Sequence, residues 1–154
     1  MKTLTTLLIL IITLPCVAQP YVALGLQNKG FNMSSGIVSP EGVDIGVQFK
    51  TPLSMADQAS ILSMTIGKQI NFNEEEDGYS ITPQIGGGWL RVKDFTLYDK
   101  DPVLPVIQRS YIRPVYGIEL NKDSYMGRMS LVVKYIDKVY YGVTMKVFLW
   151  RYTQ

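Results

Sequence analysis

Asp44, Arg113, Glu119, Arg128, Lys134 and Lys146 are the ionisable residues whose placement suggests chemistry. Each falls on the polar side of a stretch whose alternate positions are apolar. Charges of both signs on one side of a curved sheet either line a narrow ion path or neutralise one another in a packed polar interior. Buried charge must be paired, and a small barrel leaves little room for water, so the packed interior is the better reading. Catalytic groups are scarce. The sequence has no histidine and a single cysteine, Cys16, which removes histidine-dependent triads, disulfides and zinc fingers together. Gly86-Gly87-Gly88 lacks the Lys-Ser/Thr and helix of a phosphate-binding loop and reads as a bend or close approach within a strand. Glu74-Glu75-Glu76-Asp77 offers carboxylates to a hard cation but not the spaced Asp/Asn-Gly pattern of a calcium loop, so a solvated turn is expected and no metal. The expectation is a protein that is not an enzyme and carries no cofactor.

The first eighteen residues read as a secretory signal peptide. Lys2 supplies the positive start, residues 4–14 the apolar run, and Cys16-Val17-Ala18 a small-residue cleavage site before Gln19. The run is too short for a spanning helix. Pro15 argues against a lipid-modified Cys16, because a lipobox has a small residue there. The expected organisation is therefore a cleaved leader, 1–18, followed by one domain, 19–154. Without Lys2 the 15 basic residues become 14 against 13 acidic, a near-neutral balance that gives no reason to expect nucleic-acid binding.

The elements that would position the charges are strands. Apolar residues recur with period two in about eight stretches separated by turn residues: 21–27, 31–38, 43–49, 62–67, 79–92, 106–120, 125–135 and 139–150. The third is the clearest, with Val43, Ile45, Val47 and Phe49 opposite Asp44, Gly46 and Gln48. Ser39-Pro40-Glu41-Gly42 and Asn121-Lys122-Asp123-Ser124 read as turns. The second would set Leu120 opposite Tyr125 and make Glu119 a diagonal neighbour of Arg128. The last hairpin needs an odd-numbered loop, at 137–139.

Alternation alone does not say which side faces inward. A polar side rich in Gly, Ser, Thr and Gln suits the narrow lumen of an eight-stranded barrel. The last three strands are long enough to cross a bilayer at a tilt, and Tyr79, Tyr111, Tyr125, Tyr135, Tyr141, Trp89 and Trp150 cluster near strand ends, as at a membrane boundary. The expected fold is all-β: an eight-stranded antiparallel up-and-down transmembrane β-barrel. The runner-up is a soluble periplasmic or secreted β-barrel binding a small apolar ligand.

With the signal peptide, the eight stretches and the last strand in view, the chain resembles small OmpA/OmpX-like outer-membrane barrels, cell-envelope proteins of porin type. Its Ala18-Gln19 junction looks like those of Bacteroidota exported proteins. In the last strand, Gly142 followed by Met145, Val147 and Leu149 at alternate positions resembles the assembly signal of that family, after which this chain adds Arg151-Tyr152-Thr153-Gln154. The resemblance implies an outer-membrane location, outer-membrane lipid and the barrel assembly machinery as partners, and a structural or surface-interaction role. The loop at 93–105 is the candidate contact for a surface partner.

Overall fold

The computed structural model describes residues 18–28, 30–53, 59–72, 78–94 and 107–149. The expected signal peptide up to residue 17, the acidic turn at 74–77, Trp150 and nearly all of the 93–105 loop lie outside the described residues.

Strands form where the period-two pattern is: β1 (Gln19–Gln27), β2 (Gly30–Val38), β3 (Val43–Pro52), β4 (Ala59–Lys68), β5 (Ile70–Asn71), β6 (Tyr79–Asp94), β7 (Ile107–Ser124), β8 (Gly127–Tyr135) and β9 (Val139–Phe148). Consecutive strands pair antiparallel except β4 with β5, β9 pairs with β1, and β4 pairs with β6, so the sheet closes on itself. β4 and β5 form one stave, because both pair with β6 in the same register. The break between them has a chemical cause. That register sets Lys68 opposite Pro83, which has no N–H to give the ladder. Eight staves remain, as the sequence pattern predicts.

The register fixes the barrel's dimensions. A walk across hydrogen-bonded partners from Tyr79 passes Lys122, Met129, Met145, Leu24, Met33, Phe49 and Leu62, and re-enters β6 at Trp89, ten residues beyond its start. With standard strand spacing and rise, eight staves and a ten-residue offset give a tilt of about 40° and a radius of about 8 Å. A lumen that narrow is filled by side chains.

Side-chain direction follows the pattern without exception along that walk. Val22, Leu24, Met33, Val47, Leu62, Ile85, Leu131, Val143, Met145 and Val147 are exposed on the outside, whereas Asn32, Gln48, Ser63, Thr82, Asn121, Ser130 and Thr144 are buried inside. A water-soluble barrel would leave this outer surface unpaid for; a bilayer solvates it.

Three turns bear on the register. Ser39 to Gly42 closes β2 onto β3 as expected, with Gly42 at φ 80° donating its N–H to the Ser39 carbonyl at 2.8 Å. The expected turn at 121–124 is not there. Those four residues continue β7, and Tyr125-Met126 makes the turn instead, so that Leu120 faces Leu131 and Glu119 faces Val132. The polar residues that suggested a turn are used elsewhere: Asn121 points inward to Ser80, Thr82 and Ser130, and Asp123 pairs with Arg128. The displacement is an even number of residues, so every side chain keeps its face. The last hairpin has an odd loop, at 136–138, one position earlier than expected, because Tyr135 pairs with Val139.

Candidate functional site: the charged lumen

The ten-residue offset carries inward residues from different staves to one level, and the charges meet there. Lys146 of β9 donates to Asp44 Oδ2 of β3 at 2.8 Å and to Glu119 Oε2 of β7 at 2.6 Å. Lys134 of β8 donates to Gln48 Oε1 at 2.7 Å and lies 3.8 Å from Glu119 Oε1. Tyr21 of β1 completes the chain by donating its hydroxyl to Asp44 Oδ1 at 2.9 Å. Two carboxylates face two ammonium groups, so the cluster is neutral as a whole. All four charged side chains are buried, Lys146 to 2% exposure. Pairing of this kind is what makes buried charge tolerable.

Local sequence explains how Tyr21 fits. A Cβ at Gly36 or at Gly46 would lie 2.6 Å from the Tyr21 hydroxyl, so the phenol rests over two strand positions that carry no side chain. Tyr21→Phe should keep the packing and lose the hydrogen bond to a charged acceptor, a loss of about 1.5 to 3 kcal/mol. Urea unfolding of the refolded protein measures it, and an unchanged midpoint would remove Tyr21 from the network.

Of the six ionisable residues singled out from the sequence, the structure brings Asp44, Glu119, Lys134 and Lys146 together. Arg128 is buried but lies nearer the end of the barrel where β1 begins and β9 ends. It donates from Nε and Nη2 to Asp123 at 2.6 and 2.9 Å and from Nη1 to Gln69 at 2.7 Å, not to Glu119. The diagonal Glu119–Arg128 contact expected from the sequence is corrected by the longer β7. Arg113 is a second correction. It has the inward parity and β6 beside it, but β8 ends opposite Tyr116, so no described stave stands on the β8 side of β7 at Arg113 and its side chain is exposed, 5.7 Å from the Tyr111 ring.

The sequence reading missed Tyr21, Gln48, Asn121 and Asp123 as members of these networks. The signal for the first two was present, since both share the parity of Asp44 and Ala23 in stretches already recognised. At the opposite end, where β1 ends and β9 begins, the lumen changes character: Ile61, Leu90, Val115, Ile136 and Tyr140 form an inward apolar cluster, with Lys50 Nζ 4.1 Å from the Tyr140 ring centre. Two voids of about 10 Å³ each flank the Lys134–Gln48 hydrogen bond. That is room for about one water molecule apiece. Among the described residues, Asn32 Oδ1 and Gln84 Oε1 have no hydrogen-bond partner beside the first void, nor has Gln27 Nε2 beside the second.

The residues expected to form an assembly signal occupy β9 and its end. Gly142 faces inward across from Gln27, where a Cβ would collide with β1 backbone, and Met145, Val147 and Leu149 are exposed on the outside.

A closed antiparallel barrel of eight staves with an apolar exterior and a hydrogen-bonded polar interior is the architecture of a transmembrane β-barrel, and the fold is that of small OmpA-like outer-membrane barrels. Known structures agree. The chain is similar to the N-terminal β-barrel domain of Pseudomonas aeruginosa OprF, with a TM-score of 0.62 at 9% identity over 85% of this chain and 95% of that one. It is similar also to the Yersinia pestis outer membrane protein Ail in a phospholipid bilayer nanodisc, with a TM-score of 0.54 at 13% identity over 86% and 99% of the two chains. Ail in complex with the heparin analogue sucrose octasulfate gives 0.50 at 15% identity over 86% and 98%. No family model matches the sequence, and no curated protein matches it.

Proposed function

We propose that the chain serves in an outer membrane as a non-enzymatic structural barrel with a sealed lumen. The observation that carries this reading is the neutral cluster of Asp44, Glu119, Lys134 and Lys146 across the middle of the interior. An ion would have to displace hydrogen-bonded charges in a space with voids of about 10 Å³ and then pass the apolar cluster around Val115 and Tyr140. Support for the location comes from the exposed apolar belt and from likeness in fold to OprF and Ail. Under the same reading the 1–18 leader is cleaved on export, and Gly142, Met145, Val147 and Leu149 present β9 to the barrel assembly machinery. The loop at 93–105 offers a contact to a surface partner.

Refolded protein in a planar lipid bilayer should give no single-channel steps at ordinary holding potentials. Regular openings in the wild-type barrel would refute the sealed lumen. The soluble alternative, a periplasmic barrel with an apolar ligand inside, is not favoured, because the lumen is polar at its centre and its voids are too small for such a ligand. Cell fractionation checks this: the protein should stay with the envelope and need detergent for release.

A further inference from the structure

One joint of the cylinder brings together staves that are not successive in the chain. β1 and β9 meet there over seven residue pairs, from Tyr21 with Phe148 to Gln27 with Gly142, the shortest ladder between two staves among the described residues. Bonds at its two ends give its phase: Leu149 donates its N–H to the Pro20 carbonyl at 2.9 Å, and Asn28 donates to the Tyr141 carbonyl at 2.7 Å. Even-numbered residues of β1 therefore exchange hydrogen bonds with odd-numbered residues of β9. Carried to its end, that phase asks for an acceptor at residue 28 toward the Tyr141 N–H and a donor at residue 30 toward the Val139 carbonyl. The backbone cannot supply the second, because Gly30 has turned back into β2 and pairs with Gln27.

The side chain of Asn28 fills both places. Its Oδ1 accepts the Tyr141 N–H at 3.0 Å, and its Nδ2 donates to the Val139 carbonyl at 3.3 Å. The amide can sit only this way round, since a backbone N–H only donates and a carbonyl only accepts. A primary amide carries the acceptor and the donor of a peptide group, and among the residues that suit a tight turn asparagine alone offers them on two separate atoms. Val139 and Tyr141 are exposed on the outside of the wall, and a strand end left with an open N–H and C=O is a template for an added strand. We infer that Asn28 is the latch of the closing seam: its side-chain amide stands in for the missing peptide groups, holds β9 to β1 where β1 ends, and keeps the wall from parting sideways or taking a foreign strand there. The competing role, shaping the tight turn between β1 and β2, needs no amide. The latch depends on neither the sealed lumen nor the assembly reading of β9.

The test uses the barrel refolded in lipid vesicles, in a Cys16→Ser background, and follows on gels the rate at which heating in detergent converts the compact, fast-migrating form into the unfolded one. Asn28→Gly suits the tight turn but has no amide, and should unfold about tenfold faster or more, the effect of two lost hydrogen bonds. Leu26 and Val143 face each other across the seam on the outside, so a short cleavable cross-linker between Leu26→Cys and Val143→Cys ties β1 to β9 by a second means. In the cross-linked barrel the glycine variant should unfold at the rate of its Asn28 parent, and cleaving the cross-link should restore the difference. A glycine variant as slow as wild type without the cross-link would overturn the proposal. Equal acceleration with and without the cross-link would overturn it too, because the effect would then lie in the turn. Asn28→Asp keeps the acceptor and loses the donor, and should show a smaller acceleration that the cross-link likewise removes; it carries the same comparison if the glycine variant yields too little folded barrel.

Discussion

Lys146→Met is expected to destabilise the folded barrel by about 3 to 5 kcal/mol, the cost of leaving buried charge without its partner. Lys146 is the only cation within hydrogen-bond distance of Asp44 among the described residues, and it also holds Glu119 at 2.6 Å. With it gone, Glu119 retains Lys134 at 3.8 Å and Asp44 retains only the Tyr21 hydroxyl. Methionine fills nearly the same volume, so the loss is electrostatic rather than a cavity effect. Adding Asp44→Asn should recover part of the loss, since a neutral amide no longer requires a cation. Equilibrium urea unfolding in lipid vesicles reads both numbers. Additive losses in the double variant would mean that the two residues do not interact.

Val143→Lys should cost about 2 to 4 kcal/mol, whereas Val139→Lys, on the same face at the end of β9, should cost about 0 to 1. Val143 is 43% exposed, sits mid-strand and is flanked by Leu131 and Leu26, so a lysine there would place an ammonium group among lipid chains. Val139 lies where an ammonium can reach water. Equal effects at the two positions would contradict a bilayer around the barrel. This comparison uses one face only, which is cleaner than contrasting inside with outside: the inward neighbour Thr144 is buried against Asn32, and a lysine there would be overpacked.

Much of the fold was legible because parity is a robust signal. Asp44, Glu119, Lys134 and Lys146 could be assigned to one side of the sheet from alternation alone, and the even displacement of the β7–β8 register left that assignment intact. Which of them touch was not legible. Contact depends on the offset accumulated around the whole barrel, and a wrong turn at 121–124 moved Glu119 from Lys146 to Arg128. Tyr125-Met126 carries none of the residues that normally announce a turn, while Asn121 and Asp123, which do, are spent on the lumen. Arg113 shows the complementary failure: parity gives the direction of a side chain but not whether staves flank it on both sides at that height. Tyr21 was hidden by its own size, since at its own level in the narrow barrel so large a side chain fits because Gly36 and Gly46 make space.

The place of Lys146 in the chain has a consequence for biogenesis. Asp44 and Glu119 are synthesised before the cation that joins them, which arrives on the final stave, so an unfinished chain carries carboxylates that have nowhere dry to go. Closure of the cylinder and charge compensation become one event, completed only when the C-terminal segment docks along the N-terminal one. A polypeptide truncated before residue 146 should therefore stall as an open, protease-sensitive sheet instead of maturing into a leaky seven-stave ring.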